Sequence, residues 1–66
     1  MNDIEKKLRS EILARLQEVT ETNSPNIYER IKTPGGYAQI EEMIINMVIH
    51  DHITPSACIA QIESEL

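Results

Sequence analysis

The stretch Ile40-Glu41-Glu42-Met43-Ile44-Ile45-Asn46-Met47-Val48-Ile49 decides the fold of this 66-residue chain. Seven of its ten residues are apolar, a density that no other window reaches. On a helical wheel Tyr37, Ile40, Met43, Ile44, Met47 and Val48 make one stripe at i, i+3, i+4, i+7 and i+8 spacing. Ala38, Ile45 and Ile49 make a second, offset stripe. A helix apolar on two flanks needs partners on more than one side. Ile44, Ile45, Val48 and Ile49 are β-branched and would also suit a strand. A lone strand has nothing to pair with here, and segment length, Glu41-Glu42 and the stripe favour a helix.

Before this stretch, Ile4, Leu8, Ile12, Leu16 and Val19 share one face of an amphipathic helix, widened by Leu13. Asn2 or Asp3 can serve as its N-cap. Glu5–Arg9 and Glu11–Arg15 are i,i+4 pairs in the favourable order, and the stem of Arg15 can pack beside the apolar stripe. Thr20-Glu21-Thr22-Asn23-Ser24 is a polar linker. Three dipeptides follow one pattern: Ser24-Pro25, Thr33-Pro34 and Thr54-Pro55. A hydroxyl caps orphan backbone donors, and proline at the first helical position loses no hydrogen bond, so all three read as helix starts. Proline-directed phosphorylation is the alternative reading of the same pairs.

The short second helix places Ile27, Tyr28 and Ile31 inward. Gly35-Gly36 reads as a bend that lets two helices pack closely; no strand precedes it and no phosphate-loop spacing surrounds it. His50-Asp51-His52 forms the next turn. Ile53, just before the Thr54 cap, can staple against Cys58, and Ile59, Ile62 and Leu66 make the last buried stripe. Glu63 and Glu65 crowd the negative end of that helix, which predicts a frayed terminus. The expectation is an all-α fold: one domain, residues 1–66, with helices at about 3–20, 25–32, 36–50 and 54–65. It is a three- to four-helix bundle with a C-terminal helical hairpin, completed by dimerisation.

A domain this small buries only about 60% of the surface its unfolded chain exposes. Disulfide, metal or partner subunit usually supplements such a core. Cys58 is the only cysteine, so no disulfide forms within one chain, and self-association becomes the leading candidate. The charged N-terminus is neither signal peptide nor membrane span. With a lone thiol, it fits a reducing, cytoplasmic setting. Net charge is −5 and unevenly placed. Residues 1–32 balance six basic groups against six acids, whereas residues 33–66 carry five acids and no Lys or Arg. That acidic half would repel a phosphate backbone and suits a basic protein partner.

Candidate chemistry is sparse. His50, His52 and Cys58 are the residue types of a metal or thiol site, but neither CxxC nor a spaced histidine pair accompanies them. Cys58 has no cation in its half of the chain to stabilise a thiolate. Adjacent Glu41 and Glu42 diverge by about 100° on a helix and cannot act as an acid–base couple; they read as a solvated face. No enzyme, cofactor or small-molecule substrate is expected. The helix–turn–helix reading has suitable lengths, from the third helix through His50–Ile53 to the last helix. Its second helix offers only Ser56, Gln61 and Ser64 beside acids, which is wrong for base edges. Lys6, Lys7 and Arg9 are the better candidates for any nucleic-acid contact.

The stretch from Ile40 to Glu63 resembles the AriR/YmgB family of small helical biofilm and acid-resistance regulators. The residues that carry the likeness are Ile44 and Asn46-Met47-Val48-Ile49, the turn His50-Asp51-His52, and Ile53-Thr54 opening a helix with Ile59, Ile62 and Glu63. The resemblance implies a helical homodimer acting as a connector in regulatory signalling, with an association with DNA in some settings. It carries over no catalytic or binding residue. The functional expectation is therefore a small non-enzymatic regulator or adaptor working through protein–protein contacts. The alternatives are a helix–turn–helix DNA-binding regulator and a metal- or thiol-dependent protein using His50, His52 and Cys58. Tyr37, Ile45 and Ile49 are the candidate interaction residues, with Ile45→Asp expected to dissociate the assembly before the helices unfold.

Overall fold

The computed structural model describes residues 3–66, so the Asn2 cap lies outside the described residues. It shows four helices: α1 (Asp3–Leu16), α2 (Pro25–Ile31), α3 (Gly36–Asp51) and α4 (Pro55–Glu65). The all-α expectation is borne out. Helices α3 and α4 each pack against the other three, whereas the backbones of α1 and α2 do not come close to each other among the described residues. The core therefore sits along the α3–α4 pair, with α1 and α2 laid on it separately. It consists of Leu8, Ile12 and Leu16 from α1, Ile27 from α2, Ile40, Ile44 and Ile45 from α3, and Cys58 and Ile62 from α4. Tyr37, Met43, Met47, Val48, Ile53 and Ile59 form a half-buried layer around it.

The connections explain where the helices stop. Helix α1 ends at Leu16 rather than near residue 20. The Glu18 and Val19 N–H groups reach back only three residues, to Arg15 and Leu16 at 3.1 and 3.3 Å, which tightens the chain out of the helix. The linker beyond is an ordered turn. Thr20 N–H donates to Asn23 Oδ1 at 2.9 Å, and Asn23 N–H donates to Thr20 Oγ1 at 3.1 Å. Asn23 Nδ2 also donates to the Glu18 carbonyl at 3.0 Å. Val19 leaves the helix but still packs on the core.

Thr33-Pro34 is not a helix start, which corrects one of the three proline expectations. Gly36 N–H donates to the Thr33 carbonyl at 3.0 Å, and Gly35 sits at φ 77°, ψ −5°. Proline second and left-handed glycine third is a type II β-turn, in which Pro34 serves the turn. Helix α3 begins after it, at Gly36. A Cβ on Gly36 would lie 1.8 Å from the Arg30 carbonyl oxygen, so only glycine lets α3 start this close to the end of α2. The other two proline pairs do open helices. Thr54 Oγ1 accepts from Ala57 N–H at 3.2 Å, a regular N-cap. Ser24 makes no such bond.

Several inward assignments change. Ile4, expected in the α1 core stripe, is 76% exposed, and Leu66 is exposed at the end of α4. The Tyr28 ring lies beneath the Lys32 ammonium, 4.3 Å from its centroid, a cation–π contact near the surface. Ile45, assigned to the outward stripe of α3, is 5% exposed and belongs to the core. The reason is the placement of α1, whose residues reach α3 at Glu41 and Glu42 and again beside Val48 and Ile49. Ile45 lies between these points on the same flank and is covered.

Candidate interaction surface

The flank that buries Ile45 stops short of Ile49, which is 53% exposed. Ile4, Lys7, Leu8 and Glu11 of α1 and Val48, Ile49 and His52 at the end of α3 line a groove of about 440 Å³. Its most exposed apolar side chains, Ile4 and Ile49, stand one on each helix. Leu8 is buried and Val48 half-buried. Of the three predicted interaction residues, the structure leaves Ile49 open, half-buries Tyr37 against the core and seals Ile45. Tyr37 titrates above its ordinary value because burial and the nearby Glu41 carboxylate disfavour the phenolate. Ile4, the second apolar anchor of the groove, was missed because its spacing from Leu8 and Ile12 is that of a core residue. It lies in the first turn of α1, where little of the bundle reaches it.

Arg9 links the two walls at the surface, above the core that packs them together. Its guanidinium bonds Glu5 at 2.9 Å on its own helix and Glu41 at 2.7 Å on α3, with Glu42 at 4.0 Å. The hydrogen bond that Arg9 donates to Glu5 leads the causes that raise its already high pKa, with further help from the Glu41, Glu5 and Glu42 charges. Glu41 is therefore not simply a solvated residue, and Arg9 is committed to carboxylates rather than presented to phosphate. Lys6 and Lys7 remain exposed. The Glu11–Arg15 pair read from spacing does not close to ion-pair distance among the described residues.

The third cluster of interest does not assemble. His50 and His52 are exposed at the end of α3, while the Cys58 thiol is fully buried, 4.0 Å from the Ile44 carbonyl oxygen. Burial raises the Cys58 pKa, and the Asp51 charge adds to it, so the thiol is held protonated rather than primed as a thiolate. Among the described residues no three or more His, Cys, Asp or Glu are grouped to hold a metal ion. His52 takes a left-handed backbone, φ 56°, as the C-cap of α3. No helix of the described residues is long and apolar enough to cross a membrane.

The sequence also gave no signal for Glu63. Its two carboxylate oxygens accept from the Asn26 and Ile27 backbone N–H groups, both at 2.9 Å. Asn26 Nδ2 returns a bond to the Glu63 carbonyl at 3.3 Å. An acid expected to fray α4 instead caps the first turn of α2, 36 and 37 residues away in sequence, where negative charge meets the positive end of the helix dipole. It does the work that Ser24 leaves undone. No family model, curated protein or solved structure matches the chain.

Proposed function

We propose that this protein is a small non-enzymatic adaptor or regulator that acts in the cytoplasm through protein–protein contacts, and that it self-associates. The observation that carries the reading is the α1–α3 groove, where Ile4 and Ile49 stay exposed at 76% and 53% in a chain too short to waste apolar area. The acidic second half, with Glu42, Asp51 and Glu65 exposed, leaves a charged surface suited to a basic partner. The AriR/YmgB resemblance points the same way, toward a helical connector rather than a catalyst. The test is Ile49→Asp, read by light scattering behind size exclusion and by far-ultraviolet circular dichroism. The expected result is loss of the assembly with helicity unchanged. An assembly that survives Ile49→Asp would overturn the groove as the contact surface.

A further inference from the structure

Where the end of α1, the linker and the start of α4 meet, a separate cavity of about 180 Å³ opens beside Ser24 and Ser56. It shares no lining residue with the α1–α3 groove. Ser24 is only 8% exposed, yet its hydroxyl makes no cap bond. Glu63 already holds the Asn26 and Ile27 N–H groups that a cap at this position would take. Among the described residues no side-chain oxygen or nitrogen is both sealed and unpartnered, so the Ser24 hydroxyl keeps its opening at the cavity it lines. Ser56 brings a second unpaired donor. In the first turn of α4, Thr54 Oγ1 accepts from Ala57 N–H and the Thr54 carbonyl from Cys58 N–H. Pro55 has no N–H, which leaves Ser56 N–H free at the positive end of the helix. Arg15 adds the one full positive charge of the lining; it is exposed and within ion-pair distance of no carboxylate among the described residues. Asn23 is committed to the linker, accepting from Thr20 N–H and donating to the Glu18 carbonyl, and so holds this wall in place.

We propose that this cavity binds a carboxylate with a short aliphatic body, its oxygens held by the Ser24 hydroxyl, the Ser56 N–H and the Arg15 guanidinium. Half-buried Val19 and Ile59 are the apolar part of the lining, against which the aliphatic body packs. Glu18 also lines the cavity, exposed and in no ion pair among the described residues. A second negative charge on the ligand would be repelled by it, which favours a monoanion over a phosphate. The volume lies below the ~300–1,000 Å³ of a pocket for a drug-sized molecule, which limits the ligand to a few heavy atoms. The same chemical group ends a free short-chain acid and a polypeptide whose last residue is aliphatic.

The test titrates sodium isovalerate into the full chain and follows backbone amide shifts by NMR, against sodium chloride at equal ionic strength. The Val19, Ser24 and Ser56 amides should move together and saturate with a dissociation constant of about 1 mM, as befits a ligand of so few atoms. Arg15→Gln and Ser24→Ala, each checked for helicity, should weaken binding about fivefold or more; Ser24→Ala removes no cap bond from the fold. Shifts no larger than those with chloride, or unchanged affinity in either variant, would overturn the site. Equal affinity for inorganic phosphate or for uncharged isoamyl alcohol would overturn the carboxylate assignment. A tripeptide ending in valine, compared with its C-terminal amide, separates the two sources. Tighter binding of the peptide acid than of isovalerate assigns a polypeptide end and weaker binding a free acid, and the carboxylate site stands in either case. Because groove and cavity share no residue, this outcome is independent of the self-association that Ile49→Asp tests.

Discussion

Glu63→Ala removes the carboxylate that joins α4 to the start of α2, and its cost follows from the bonds it makes. Two backbone N–H groups lose charged acceptors at 2.9 Å. A hydrogen bond to a charged group contributes about 1.5–3 kcal/mol when well shielded, and an N-cap about 1 kcal/mol. Asn26 is exposed and its N–H can turn to water, whereas Ile27 is fully buried. The net loss is therefore about 2 kcal/mol, nearer to one strong bond than to two. A chain of this length has a total stability of roughly 3–10 kcal/mol, so the loss is a large fraction. At about 4–8 °C per kcal/mol for a small domain, the melting temperature should fall by roughly 8–16 °C. Glu63→Gln keeps one acceptor but turns an amide donor toward the other N–H, and should lose about half as much. The assay is urea and thermal unfolding followed by circular dichroism, with Glu65→Ala as control because Glu65 is exposed and makes only a 3.4 Å contact to Gln61. A Glu63→Ala effect no larger than that of Glu65→Ala would refute the capping role.

Gly36→Ala should destabilise by about 2–3 kcal/mol in urea unfolding even though alanine is the better helix former, because its Cβ would overlap the Arg30 carbonyl. His52→Gly should instead stabilise by roughly 1 kcal/mol in the same assay, since glycine takes the left-handed cap position without strain. Cys58 binds its proton more tightly folded than unfolded. Its stabilising effect is full below the unfolded thiol pKa and is lost as pH rises toward the folded one. Melting temperature should thus decline on the alkaline side of the ordinary thiol range, and less so in Cys58→Ala; equal slopes in both proteins would contradict the assignment. Ile45→Asp should unfold the chain rather than merely dissociate it, since a charge would enter a position only 5% exposed, at a cost above about 4 kcal/mol; native helicity in that variant would refute the core placement.

The helices were legible in the sequence wherever a local pattern dictates a local outcome. The stripe through Ile40 and Ile44 and the Thr54-Pro55 start of α4 both follow from spacing and capping chemistry alone. Thr33-Pro34 misled because proline suits the second position of a type II turn as well as the first turn of a helix, and the Gly35 backbone decides between them. Ile4, Ile45 and Ile49 could not be sorted by periodicity. Exposure depends on how far α1 extends over α3, which no local pattern in either helix specifies. Glu63 and Arg9 show the general reason: both act across tens of residues, so their partners become visible only once the chain has folded.

Sedimentation equilibrium of the wild-type protein over a wide concentration range decides whether the chain self-associates through its groove. The expected result is a concentration-dependent shift from the 7.5 kDa chain to a species of twice that mass, with Ile49→Asp remaining at the lower mass while equally helical. A wild-type protein that stays at 7.5 kDa at every concentration would rule self-association out.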